Sequence, residues 1–289
     1  MEHGNLIKKL REERGLTQVE LSRNITHRTT LISFEKKGSH VSFDALLNYL
    51  DRMNISIEEY EFLYNKNSAP VKDKVKNEFR QLINQKDLSP NLPIVLEKYR
   101  QYMSEYHATG DFLYYSLYAQ LFLIANYRTH SLGVHPTEVK QIKENIQQYL
   151  LTISNWGRFE LVAFTNCMFV FDTDFVASCL KTMIKNAYFY QNSNYYQTDL
   201  KVLYVNAITL MLDRKEYDLF NQLFTEFKKI ATSNRDVELK VYILIFNFIK
   251  LKIEGADNDQ TRDEQFIEYL KWLDMEEWIA YIESVTDKS

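Results

Sequence analysis

Leu10-Arg11-Glu12-Glu13-Arg14-Gly15-Leu16-Thr17-Gln18-Val19-Glu20 decides how the start of this chain is read. Leu6, Ile7 and Leu10 recur at helical spacing and form the apolar stripe of a first helix, which Gly15 ends by supplying a left-handed residue. Thr17 to Glu20 then carries a capping box, in which Thr17 caps the next helix and Glu20 reaches back. Val19 and Leu21 start a short second helix that ends near Ile25. After a tight turn at Thr26-His27, a third helix runs from about Arg28 to Lys36, with Leu31, Ile32 and Phe34 on its buried side. Ser42 caps a fourth helix carrying Leu46, Leu47 and Leu50. Ser56-Ile57-Glu58-Glu59 is a second capping box, opening a fifth helix through Leu63.

Five short helices over residues 1–65, with a tight turn between the second and third, form a helix-turn-helix arrangement. A helix that enters a major groove needs short hydrogen-bonding side chains on its outer face and cations at its flanks. The third helix offers Arg28, Thr29, Thr30 and Ser33, with Lys36 and Lys37 at its far end. Thr17 and Gln18 open the second helix, where Gln18 can reach a phosphate or a base edge. The net charge of −4 argues at first against nucleic acid, but its distribution matters more. Across residues 23–40, Arg23, Arg28, Lys36 and Lys37 face a single acid, Glu35. Double-stranded DNA is the expected partner, bound as a homodimer on two half-sites.

Residues 5–65 resemble the Xre-type helix-turn-helix through Leu10 to Gln18 and Phe34-Glu35-Lys36-Lys37-Gly38. Phe34 to Ser42, followed by Leu46-Leu47-Asn48-Tyr49-Leu50-Asp51 and Ile55-Ser56-Ile57-Glu58-Glu59-Tyr60, more specifically resembles the Rgg/GadR/MutR family. Two positions depart from that pattern. Ser33 stands where members often carry Arg before the Phe-Glu pair, so base preference is expected to differ. Phe43 stands where some members carry Cys, so redox control through that position is not expected.

The remaining chain has a different texture. Seven Gly and four Pro in 289 residues leave little turn chemistry for strands, and a hydrophobic content of 45% is ample for a core. The spacing predicts an all-α chain: a polar linker at 66–72, then an α-solenoid over 73–289. Ten helices are expected, at 71–86, 92–107, 111–128, 135–152, 157–172, 174–190, 195–213, 216–232, 235–253 and 262–283. They pair into about five tetratricopeptide-like hairpins. The last helix carries Trp272, Leu273, Trp278 and Ile282, more apolar surface than one neighbouring helix covers, and is expected to hold the dimer.

Asn126, Asn166, Asn206 and Asn247 recur along this region at intervals of 40, 40 and 41 residues, each inside an apolar run. They fall on the first helix of successive pairs, the position that lines the concave face of such solenoids. An amide offers both a donor and an acceptor, so a row of them can hold a peptide backbone without reading its side chains. Phe169, Val202, Ile243 and Lys250 flank the row, which suits an extended hydrophobic peptide. The bland alternative is a set of packing asparagines that satisfy neighbouring helix ends. Trp156-Gly157-Arg158-Phe159-Glu160-Leu161 resembles the regulatory domain of the same family. That resemblance implies a quorum-sensing receptor, a homodimer controlled by a short secreted peptide. The competing reading is a helix-turn-helix regulator whose solenoid only dimerises or docks another protein.

No phosphate loop, dinucleotide fingerprint or nucleophile elbow is present, so neither an enzyme nor a cofactor is expected. Asp172 with Asp174 reads as helix capping rather than a metal site, and His130, His135 and Glu138 are too scattered to ligate one. Cys167 and Cys179 read as buried small hydrophobes. No run approaches the ~20 apolar residues of a membrane span, and Met1-Glu2-His3-Gly4-Asn5 lacks the apolar stretch of a signal peptide. The chain reads as cytoplasmic.

Overall fold

The computed structural model describes residues 2–66, 70–85, 87–129, 136–185, 194–230, 236–255 and 260–286, except the side chains of residues 185, 194 and 195. Its described regular elements are all helices, and the chain divides into two compact units, Met1–Asn84 and Gln85–Ser289.

The first unit contains α1 (His3–Glu13), α2 (Gln18–Ser22), α3 (Arg28–Lys37), α4 (Phe43–Arg52), α5 (Ile57–Asn65) and α6 (Val71–Ile83). Its core gathers Leu6, Ile7 and Leu10 of α1 with Leu21, Leu31, Phe34, Tyr49 and Leu50. Gly15 ends the first helix at φ +67°, as its position predicts. Thr17 accepts from the Glu20 amide at 3.2 Å while the Thr17 amide donates to the Glu20 carboxylate at 2.7 Å, completing the capping box. Ser56 makes only half of the second one. Its hydroxyl accepts from the Glu59 amide at 3.1 Å, but the Glu59 carboxylate turns instead toward Arg14, at 4.0 Å. Leu47 also departs from expectation: it is exposed, and Tyr49 takes the buried position. The segment expected as a linker leads directly into α6, which groups with this unit; residues 67–69 lie outside the described residues.

The second unit begins with a short 3-10 turn and continues with α7 (Leu92–Thr109), α8 (Phe112–Thr129), α9 (Pro136–Thr152), α10 (Arg158–Cys167) and α11 (Thr173–Lys185). It ends with α12 (Asn194–Asp213), α13 (Tyr217–Ile230), α14 (Val237–Glu254), α15 (Gln260–Trp272) and α16 (Glu276–Thr286). Helices α8, α10 and α12 pack side by side in that order, with α7 along α8 and α13 along α12. Phe246 of α14 lies among Phe224, Phe227 and Trp278, ring centroids 5.7–6.1 Å apart in edge-on geometry.

Two expected helices break. The one expected over 157–172 becomes 3-10 at Met168–Val170. The one expected over 262–283 is two helices, because Asp274 is left-handed at φ +54° and the Met275 amide closes back on the Leu270 carbonyl at 3.0 Å. An aspartate tolerates that conformation better than most residues, a signal that helical periodicity alone overlooks. The break lets α16 fold back on α14, so Ile282 is buried while Trp272 and Leu273 stay exposed, at 72% and 53%.

Candidate nucleic-acid interface and amide row

The turn between α2 and α3 is held from outside. Arg52, in the last turn of α4, donates to the carbonyls of Glu20, Leu21 and Arg23, the free acceptors at the end of α2. Tyr49 hydrogen-bonds Thr26, and Asn24 turns the chain at φ +60°. Gly4 lets α1 approach the end of α3 closely: a Cβ there would sit 2.0 Å from the Phe34 carbonyl oxygen. Helix α3 is thus fixed at both ends by contacts that take up none of its outer face.

Arg28, Thr29, Lys36 and Lys37 are exposed, and Thr30 and Ser33 are half-buried. No side chain of these six makes a hydrogen bond or ion pair with a described residue, so the face is open to an incoming partner. Glu35 is not the surface acid expected from the sequence. It is 2% exposed and gripped by the Arg11 guanidinium through bonds of 2.7 and 3.0 Å. That pairing holds the Arg11 guanidinium above its ordinary pKa. Glu35 therefore subtracts nothing from the positive charge of the face. It also positions Gln18, whose amide donates to it at 2.8 Å. Sequence reading missed Arg11 in this role, since an arginine on an otherwise polar helix face looks solvated.

The four asparagines do fall on alternate helices, α8, α10, α12 and α14. Asn126, Asn166 and Asn206 are half-buried and Asn247 is exposed. Asn166 donates to Gln120 of α8 at 2.7 Å, and Gln120 donates to Ser116 at 2.7 Å, so this amide bridges two neighbouring helices. The side chains of Asn126, Asn206 and Asn247 make no hydrogen bond with a described residue. Tyr127, next to Asn126, packs on Phe169 with ring centroids 4.9 Å apart, joining α8 to the end of α10. Val202 is exposed one turn before Asn206. Tyr281 of α16 donates to the Thr209 carbonyl and to Asp213 at 3.1 and 3.0 Å, along the same side of α12 as Asn206. Ile243 and Lys250 are half-buried beside Asn247, Lys250 lying 3.6 Å from Glu254. Ion pairs brace the row: Arg158 of α10 binds Asp199 of α12, and Lys201 of α12 binds Glu238 and Asp236 at 2.7 and 3.4 Å.

Residues 7–60 match the helix-turn-helix family, and residues 96–284 match the C-terminal domain of the HTH-type transcriptional regulator Rgg. This chain belongs to the Rgg family of transcriptional regulators. Its fold is shared with the SHP pheromone receptor Rgg2 of Streptococcus dysgalactiae, at a TM-score of 0.71 and 18% identity over 97% of this chain and 98% of that one. It is shared likewise with PrgX in the PrgX/cCF10 complex, at a TM-score of 0.76 and 16% identity over 99% of this chain and 94% of that one. A Listeria monocytogenes EGD-e protein assigned as a transcriptional regulator matches at 0.79 and 20% identity, over 98% and 95%.

In this Rgg protein the weaker sequence candidates have ordinary explanations. Lys143 binds Asp172 through both carboxylate oxygens, at 3.0 and 3.2 Å, and this holds the Asp172 carboxyl below its usual range. The Tyr118 hydroxyl donates to Glu138 at 3.4 Å, while His130 and His135 lie outside the described residues. Among the described residues no group of three or more His, Cys, Asp or Glu is placed to hold a metal. No described helix is long and apolar enough to cross a membrane. Burial pushes the Cys167 thiol up to about 12 and the Cys179 thiol up to about 11. Phe43 is 65% exposed.

Proposed function

We propose that this Rgg protein is a cytoplasmic, homodimeric regulator whose action on its operator is set by a short hydrophobic peptide lying across α8, α10, α12 and α14. Thr17, Gln18, Arg28, Thr29, Thr30, Ser33, Lys36 and Lys37 make the DNA contacts. Asn126, Asn166, Asn206 and Asn247 hold the peptide backbone, with Phe169, Val202, Ile243 and Lys250 beside its side chains.

The observation that carries the peptide reading is the row itself. Three amides at one period, Asn126, Asn206 and Asn247, make no hydrogen bond with a described residue, although two of them are half-buried. Their amide groups are left to pair with an incoming chain, and a peptide backbone supplies an acceptor and a donor at each residue. Two proteins that share this fold are described as a pheromone receptor and as a complex with cCF10, which agrees with a ligand in such a groove. The competing reading, a solenoid that only dimerises or docks another protein, draws on the exposed Trp272 and Leu273.

The test uses a pool of random N-acetylated heptapeptides passed over the immobilised full-length protein. Peptides should be retained by the native chain and lost, roughly ten- to a hundred-fold, by Asn206→Ala. Equal retention by both would remove the amide row from the function.

A further inference from the structure

Asn247 ends the row, and it also belongs to the wall of a separate feature. An open cleft of about 340 Å³ lies between α14 and α15. Its walls are largely apolar: Phe248 and Phe266, stacked on each other with ring centroids 4.6 Å apart, line it together, and Leu244 and Tyr269 are more than half exposed. Three polar side chains join them, Asn247 from α14 and Arg262 and Gln265 from α15.

We propose that this cleft receives the C-terminal residue of the bound peptide. A large apolar side chain would pack against Phe248, Phe266 and Tyr269, and the free carboxylate would meet the Arg262 guanidinium, with the Asn247 and Gln265 amides as further donors. The inference rests on the reading of the amide row as a peptide groove, which it extends to the groove's end.

Size comes first among the reasons. The cleft sits at the low end of ligand cavities, which run from about 300 to 1,000 Å³, so it suits a side chain and not a second helix. Charge comes next. The C-terminal carboxylate is the one negative charge every unmodified peptide carries whatever its sequence, and a guanidinium fork matches it in geometry. Arginine has five N–H donors, so a carboxylate can be added to the contacts that Arg262 already makes. The acids nearby have partners of their own: Lys252 for Oδ2 of Asp263, whose Oδ1 is buried without one, Lys250 for Glu254 at 3.6 Å, and Gln260 for Glu264 at 3.1 Å. The amides of Asn247 and Gln265, by contrast, make no hydrogen bond with a described residue.

The same heptapeptide pool tests this when prepared twice, once with free C-terminal carboxylates and once as C-terminal amides. Retained peptides are then sequenced by mass spectrometry. Free acids should be retained about tenfold over amides, with Leu, Ile, Val, Phe or Tyr enriched at the last position. Arg262→Gln should erase the acid preference, whereas Arg262→Lys should keep part of it; a melting curve confirms that both variants fold. Equal retention of acids and amides, or a preference that survives Arg262→Gln, overturns the inference while leaving the groove intact. If the native protein retains neither form, the groove reading falls and this inference falls with it.

Discussion

Asn166 and Asn206 occupy equivalent places in the period and differ in one respect that a mutation can read. Asn166 donates to the buried Gln120, so Asn166→Ala strands that acceptor and should cost about 1–3 kcal/mol. The melting temperature should then fall by several degrees. Asn206→Ala removes an amide with no bond to a described residue and should melt within about a degree of the native chain. A large drop for Asn206→Ala in a thermal scan would mark it as a packing residue. Arg28 and Lys37 answer to salt instead. Replacing either with Ala should weaken binding to a duplex selected by the native protein from random sequence, and should flatten the plot of log affinity against log salt by about one unit. An unchanged footprint and slope in both variants would move the contact surface off α3. The two thiols give a third prediction. Burial raises both pKa values, which keeps the reactive thiolate scarce, so a disulfide reagent such as dithiobis-nitrobenzoate should label neither until the chain unfolds. Rapid labelling of the native protein would contradict the buried placement of Cys167 and Cys179.

Among the helices, the placement of α3 depends on α1 and α4 more than on its own sequence. Gly4→Ala should drive a methyl group into the Phe34 carbonyl, force α1 away from α3 and destabilise the first unit by about 1–3 kcal/mol. Chemical denaturation followed by circular dichroism measures this, and an unchanged midpoint would show that α1 has room to shift. The helices also show where sequence patterns run out. Periodicity locates the helices of the solenoid because each has an apolar face against its neighbours. It runs 262–283 together because Leu273, Asp274 and Met275 do not interrupt the apolar spacing. A left-handed aspartate leaves no mark in hydropathy, only in backbone geometry.

For the molecule as a whole, Trp272 and Leu273 remain exposed beside the α15–α16 break, an unusual outcome for a tryptophan. If a second copy covers them, replacing both with Ser should shift sedimentation from dimer toward monomer while the melting curve stays in place. A dimer that persists in that variant would put the interface elsewhere, the exposed Phe43 and Leu47 of α4 being the next surface to examine.

Local spacing is enough to establish the helical class, the helix-turn-helix with its completed Thr17–Glu20 box, and the presence of the four asparagines on alternate helices. Each of these is written in caps a few residues apart or in a repeat of fixed length. Which polar groups are consumed internally emerges only when distant segments meet. Glu35 lies 24 residues from Arg11, and Asn166 lies 46 residues from Gln120, so neither pairing leaves a periodic trace. The same holds for the cleft, whose aromatic walls come from two helices that the sequence spaces as ordinary amphipathic segments. Local patterns report which face of a helix is apolar; which polar side chain keeps a free donor depends on the neighbour that folding brings against it.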